Sequence, residues 1–209
     1  MPLYQPESFR VDAETTLLEF IAENPFATVL SGGPDPTVTH LPMLAERDGD
    51  RLRLAGHVAR ANPHWRALES SPEALAIFHG PDAYVSPAWY TTLEAVPTWN
   101  YMVAHLHLRV ATVHEADGKE AILKRLIAAF DPGYAAQWDG LDRAYRDRML
   151  GAIVGLRAEV TRWDAKFKLS QNRPAQDRDR VVAALAQGSD GARGVASWMQ
   201  RLRLVDHPT

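Results

Sequence analysis

The chain has 209 residues, 46% of them hydrophobic, which fits one domain with a sizeable core. Its formal net charge of −3 lacks the basic excess that nucleic-acid or membrane-surface partners usually require. Without cysteine it forms no disulfide, thiolate metal site or cysteine nucleophile, and no apolar run approaches the ~18 residues of a membrane span, so a cytoplasmic location is expected.

From the N-terminus, Leu17, Leu18 and Ile21 form an apolar stripe on a helix predicted from Ala13 to Asn24, with Asp12 as cap and Pro25 as stop. FATVLS reads as a strand. The Gly32-Gly33-Pro34-Asp35-Pro36 run reads as a turn, and TVTHLPML resumes as a strand in which Pro42 marks an edge, a bulge or an end. After an Asp48-Gly49 turn, RLRLAGHV alternates. Leu52, Leu54, Gly56 and Val58 share one face; Arg51, Arg53, Ala55 and His57 share the other. Asn62-Pro63 has the form of a helix start, and Ser70-Ser71-Pro72 ends that helix.

ALAIFHG and AYVS read as two strands separated by Pro81-Asp82. The longest β pattern, TWNYMVAHLHLRVATVHE, has Met102, Ala104, Leu106, Leu108 and Val110 as its apolar side. Asp117 and Glu120 have capping-box spacing ahead of a helix in KEAILKRLIAAF, and a further helix is predicted from Asp142 to Leu150. IVGLRAEVTRW reads as a strand, and WDAKFKLS as a hairpin turn with a return strand. Two amphipathic helices, about Ala175 to Gln187 and Ala192 to Leu204, close the chain. Turn-linked strands with few strand–helix–strand units predict a mainly β (α+β) fold: an antiparallel sheet or barrel with peripheral helices. A dinucleotide-binding fold is disfavoured, since no Gly-rich turn joins a strand to a helix.

Four segments bear chemistry. GHVARANPHW places His57, Arg60 and Asn62 at a strand-to-helix junction, where free amides and an arginine can clamp a phosphate. The same residues are also explained by Asn62 as a cap and Arg60 in solvent. THLP, Thr39 to Pro42, interrupts a ladder and can free backbone groups for the edge of a heterocycle; an edge strand explains it equally. In VPTWNY, Trp99 and Tyr101 share a face opposite Asn100, as flavin walls or as ordinary core or interface aromatics. KFKLSQNR gathers Lys168, Ser170, Gln171, Asn172 and Arg173 at a strand end, which suits an anionic or amide-rich ligand. The region 162–180 holds six Lys or Arg against three Asp, a binding patch or a solvated face. His105 and His107 face the same way, yet two ligands make no metal site, so no metal is expected. Hydrolase and P-loop signatures are absent.

Taken in order, NPFATVL, THLPML, GHVARANPHW, IFHGPDAYVSPAWY, VPTWNY, AIVGLRAEVTRW and KFKLSQNR resemble the PaiB-type FMN-binding negative transcriptional regulators from about Tyr4 to Met199. The resemblance implies one FMN-binding split β-barrel domain with a helical C-terminal region over about 174–204. It also implies a homodimer with FMN in the groove between subunits. By position it places Thr39, His40, Leu41 and Pro42 at flavin-contacting backbone, and His57, Arg60 and Asn62 near the phosphate. Related oxidases favour Ser and Lys at that turn, where Ala59 and Arg60 stand here. The resemblance puts Lys168, Ser170 and Gln171 on the strand closing the pocket, with Trp99 and Asn100 offered by the partner subunit. It implies a flavin-dependent redox protein, with no catalytic acid or base identifiable, or a regulator with a non-catalytic flavin. Haem is an alternative ligand, since some split barrels bind it. A direct DNA surface is not supported by the net charge, and no helix-turn-helix is recognisable.

Overall fold

Strands form where apolar and polar residues alternate, in a computed structural model that describes residues 3–33 and 35–204. The chain runs β1 (Arg10–Val11), α1 (Glu14–Glu23), β2 (Phe26–Ser31), β3 (Thr37–Pro42), β4 (Leu44–Asp48), β5 (Arg51–Ala59), α2 (His64–Ser70) and β6 (Glu73–Val85). It continues through β7 (Thr98–Val113), α3 (Ala116–Phe130), α4 (Ala135–Gly140), α5 (Arg143–Gly151), β8 (Ile153–Lys168), α6 (Ala175–Leu185) and α7 (Asp190–Arg201). The sheet order is β3-β2-β6-β7-β8-β5-β4, with β1 paired to β8. The pairs β1–β8, β2–β3, β2–β6, β4–β5 and β5–β8 are antiparallel. Two compact units result. One comprises the described residues of Met1–Leu17, His79–Ala104 and Asp164–Thr209; the other comprises those of Leu18–Phe78 and His105–Trp163.

In the second unit the apolar face of β5, Leu52, Leu54 and Val58, is buried, as are Leu106, Leu108 and Val110 of β7 and Leu156 and Ala158 of β8. Each fully buried Leu or Val contributes about 1.5–3 kcal/mol over its exposed state. Gly56 sits on this face because a Cβ there would lie 2.8 Å from the Pro42 carbonyl oxygen. The opposite face of β5 meets α3, where Ala55, Val113, Ile122 and Leu126 cluster. Beyond them Ile127, Trp138 and Leu150 join α3, α4 and α5. In the first unit α6 and α7 bury Val181, Val182, Leu185, Val195 and Met199, and Trp198 packs edge-on to Phe167 with centroids 5.4 Å apart. Gly191 and Gly194 let α7 abut β6: a Cβ at Gly191 would stand 2.8 Å from the Asp82 carbonyl oxygen, and one at Gly194 2.7 Å from Pro81 Cγ.

Four local expectations are corrected. The TVTHLPML strand breaks at Met43, whose amide turns to Pro25 O at 2.9 Å, so Pro42 ends edge strand β3. Pro81-Asp82 does not divide β6, because the β2 pairing stops at Phe78 and leaves that side of Pro81 without a β2 ladder to disrupt. The hairpin expected at Trp163-Asp164 is one continuous strand. That stretch carries no glycine for a tight two-residue turn, and β8 pairs with β5 and then with β1. The capping box also fails. The α3 helix starts at Ala116, so Asp117 lies inside the first turn and Glu115 takes the cap position without a side-chain bond.

Candidate functional site

In the second unit, the corner of β3, β5 and α2 is tied together by polar side chains. Asn62 Oδ1 accepts the His64 amide at 2.9 Å, and its Nδ2 donates to Thr39 Oγ1 at 3.1 Å. His64, which is 1% exposed, bridges Thr39 Oγ1 at 2.8 Å through Nδ1 and Ser31 Oγ at 2.8 Å through Nε2. Burial holds this imidazole below its usual range, so it is neutral at pH 7 and bonds one hydroxyl as donor and the other as acceptor. The structure therefore joins Thr39 to Asn62 and adds His64, which sequence reasoning passed over. The THLP segment divides between two faces. Leu41 is buried beside Thr39, while His40 lies on the exposed side, bonded to Thr28 Oγ1 at 3.0 Å and stacked on Phe26.

Arg60 caps the end of α5. Its Nε donates to Gly151 O at 2.7 Å, its Nη2 to Ile153 O at 3.3 Å, and its backbone amide to Ala152 O at 2.8 Å. Lys119 Nζ donates to Leu150 O at 2.5 Å. Burial, and then the positive charge of Arg60, push the Lys119 ammonium below its usual range. Two cations thus share the negative end of one helix. His57 pairs across the ladder with Gly155, on the face covered by α3, and its buried Nδ1 has no hydrogen-bond partner. Burial lowers its pKa as well.

In the first unit, Asn100 is fully buried on the apolar side of β7. It exchanges hydrogen bonds with Ser170 Oγ at 2.9 and 3.2 Å. Ser170 holds a left-handed backbone, φ 65°. Gln171 folds back on its own turn, its Oε1 accepting the Leu169 amide at 2.7 Å and its Nε2 donating to Phe167 O at 2.5 Å. Lys168 Nζ donates to Thr98 Oγ1, and burial lowers its pKa. Asn100, Lys168 and Ser170 line a cavity of about 180 Å³ together with Asn172, Arg173 and Tyr90. Tyr90 is 5% exposed, carries the Arg173 guanidinium 4.2 Å over its ring, and has a buried hydroxyl with no hydrogen-bond partner among the described residues. Trp99 lies outside this cavity, edge-on to Tyr84, in a cleft of about 440 Å³ that Trp89 also lines.

The donor chemistry fits a flavin. The pyrimidine edge of the isoalloxazine presents two carbonyl oxygens and N1, which accept hydrogen bonds, and N3–H, which donates one. The cavity supplies donors from Lys168, Arg173, Asn172 and an unspent phenol. Among the described residues no three His, Cys, Asp or Glu side chains converge on a metal-sized site. His107 Nε2 takes a hydrogen bond from Arg162.

Residues 3–162 match the family described as "Putative FMN-binding domain". The chain belongs to this family. Within reach of the family, the chain is 33% identical to protease synthase and sporulation protein PAI 2 of Bacillus subtilis, over 95% of this chain and 97% of that one. An uncharacterized protein of Emericella nidulans is 26% identical over 89% and 92%. Among solved structures, the flavocytochrome Anf3 of Azotobacter vinelandii aligns with a TM-score of 0.61 at 18% identity, covering 80% of this chain and 72% of that one. The FAD and heme binding protein of Mycobacterium smegmatis aligns with a TM-score of 0.61 at 22% identity, covering 86% and 80%. These likenesses show the fold, the mainly β split barrel with added helices. A flavin is the family's cofactor. No helix of the described residues is long and apolar enough to cross a membrane.

Proposed function

We propose that this protein binds FMN as a homodimer; in the second unit the Arg60 corner is the candidate phosphate handle, and in the first unit the KFKLSQNR turn, taken by itself, is a candidate contact for the ring edge. Family membership supports the ligand. The observation that carries the ring-edge contact is the small cavity holding Lys168, Ser170 and the unpartnered Tyr90 hydroxyl. At about 180 Å³ that cavity is smaller than the about 300–1,000 Å³ of ordinary small-molecule sites, so it takes an edge of the ligand only. A second copy completes the enclosure. Exposed Leu93, Val96, Trp99 and Tyr84 in the first unit, and Phe26 and Val38 in the second, are apolar surfaces of the kind that partners cover.

Each group has a stated part. Arg60, oriented by the Gly151 and Ile153 carbonyls, meets the phosphate, and Asn62, Thr39 and His64 keep that corner rigid. Lys168 and Ser170 face the ring edge, with Asn100 fixing Ser170 and Gln171 fixing the turn. Bound FMN supplies one- or two-electron transfer. The relative's name links that protein to protease synthesis and sporulation. A regulatory role for this chain, through a partner protein or DNA, belongs to the same proposal and is read out by gel shift at physiological salt.

Titration of purified protein with FMN, followed by flavin fluorescence, tests the ligand, and light scattering tests the dimer. Quenching and a dimer mass are expected. Arg60→Ala and Lys168→Met should each weaken binding about tenfold or more, the size of one charge-assisted contact. Unchanged fluorescence across micromolar FMN, or a monomer that binds FMN fully, overturns the reading.

A further inference from the structure

A second cleft, of about 450 Å³, lies within the unit formed by Leu18–Phe78 and His105–Trp163 and shares no residue with either flavin handle. Ala55 and Ala111 give it a small apolar floor, Leu54, Val110 and Ala158 of the same strands also line it, and four arginines stand around it: Arg53, Arg109, Arg125 and Arg157. Register explains the assembly. On β5 and β8, Arg53 stands opposite Glu159 and Arg157 opposite Ala55. The small Ala55 side chain leaves room beside Arg157 where a larger residue would fill the floor.

Ion pairs compensate three of these four arginines. Glu46 pairs with Arg125, and Glu159 pairs with Arg51 at 3.1 Å, outside the lining set. Arg53 turns to Asp48 at 2.7 Å and Arg109 to Glu73 at 3.3 Å. The Arg157 guanidinium has neither an ion pair nor a side-chain hydrogen bond among the described residues. With Arg53, Arg109 and Arg125 ion-paired, Arg157 is the one lining cation without a partner among the described residues, so the uncompensated charge of the cleft is its guanidinium. A planar guanidinium with free N–H donors is the group best matched to a phosphate or carboxylate. An isolated inorganic ion would gain nothing from the apolar floor, whereas an anion on an apolar body uses both parts of the cleft. The volume lies within the range of small-molecule sites.

We propose that this cleft binds a small organic anion, a phosphate or carboxylate carried on an apolar body, with Arg157 as the free cation that receives the charge. The test is calorimetry on FMN-saturated protein with phenyl phosphate, inorganic phosphate and benzyl alcohol as probes. Phenyl phosphate should bind with a Kd of about 1 mM or tighter and weaken as salt is raised. The two partial probes should bind at least about tenfold more weakly, each lacking one of the two interactions. Arg157→Ala should cost about tenfold, and Arg157→Glu should abolish binding, by removing and then reversing a charge-assisted contact. Raising FMN well above saturation should leave phenyl phosphate binding to the native chain unchanged, which separates this cleft from the flavin phosphate handle. Binding unaltered in Arg157→Glu, competed away by excess FMN, or matched by inorganic phosphate overturns the proposal.

Discussion

Ser170 offers a substitution in which backbone strain and side-chain bonding separate. Its φ of 65° lies in the left-handed region, and its hydroxyl is bonded to buried Asn100. Both Ser170→Ala and Ser170→Gly remove the hydroxyl and leave Asn100 short of a partner. An unsatisfied buried amide costs about 1–3 kcal/mol, so both variants are destabilised by that amount. Only alanine keeps a Cβ in the left-handed region, at a cost of about 1–2 kcal/mol. Glycine relieves it, offset by about 0.4–1 kcal/mol of added freedom in the unfolded chain. The difference leaves Ser170→Gly more stable than Ser170→Ala by about 0.5–1 kcal/mol. Urea denaturation followed by tryptophan fluorescence reads this as a shift in midpoint at constant slope. FMN affinity should fall equally in both variants, because the lost hydroxyl is common to them. An alanine variant as stable as the glycine variant would refute the strain argument; FMN affinity tracking stability instead of the hydroxyl would refute the ring-facing role.

Other outcomes follow from the same geometry. Asn100→Ala should destabilise by about 2–4 kcal/mol through the orphaned Ser170 hydroxyl and a small cavity, and should couple non-additively with Ser170→Ala in a double-mutant cycle. Gly191→Ala should cost more than Gly194→Ala in thermal unfolding, since the first Cβ meets a backbone carbonyl and the second the edge of a proline ring. Overpacking of about 1–3 kcal/mol then exceeds the gain of about 1 kcal/mol in helix propensity at Gly191. Burial holds His57 and His64 below the usual imidazole value of about 6.5, so the unfolded chain takes up protons first as pH falls. Stability should be full above that value and decline as pH drops toward the folded values, and His64→Gln should flatten part of the decline seen by denaturant titration at several pH values.

Local alternation was enough to read some elements. FATVLS is β2 from end to end, and RLRLAGHV gave the buried face of β5 residue by residue. The burial of Asn100 was also within reach, because it shares parity with Met102 and Ala104 on the apolar side of β7. Partners far apart in the chain were not legible. His64 depends on Thr39 and Ser31, which lie 25 and 33 residues away. The acceptors of Arg60 lie 91 and 93 residues downstream, so a residue that reads as solvated is in fact a helix cap. Trp163-Asp164 reads as a turn only because Asp commonly occupies turns, and the tertiary pairing of β8 with β5 and β1 overrides that preference. The left-handed position in this turn is a serine, and neither glycine nor asparagine stands there to announce it.

The capping role of Arg60 strengthens its part in ligand binding. A guanidinium has five N–H donors, and the contacts to Gly151 at the end of α5 and Ile153 at the start of β8 occupy only the Nε and one Nη2 hydrogen. The rest of the fork remains available to an anion. Ordering a free arginine at a binding site costs about 0.5–1.5 kcal/mol of rotamer freedom. Here the Gly151 and Ile153 carbonyls have already met that cost during folding. Lys119, bonded to Leu150 O, adds a second cation beside it, while the negative end of α5 keeps the pair together. Arg60→Lys should therefore keep one cap contact and most of the stability, yet lose FMN affinity, because an ammonium cannot hold the carbonyls and a phosphate in one fixed plane. Stability and affinity lost together in Arg60→Lys would mean that the cap is the whole role of this residue.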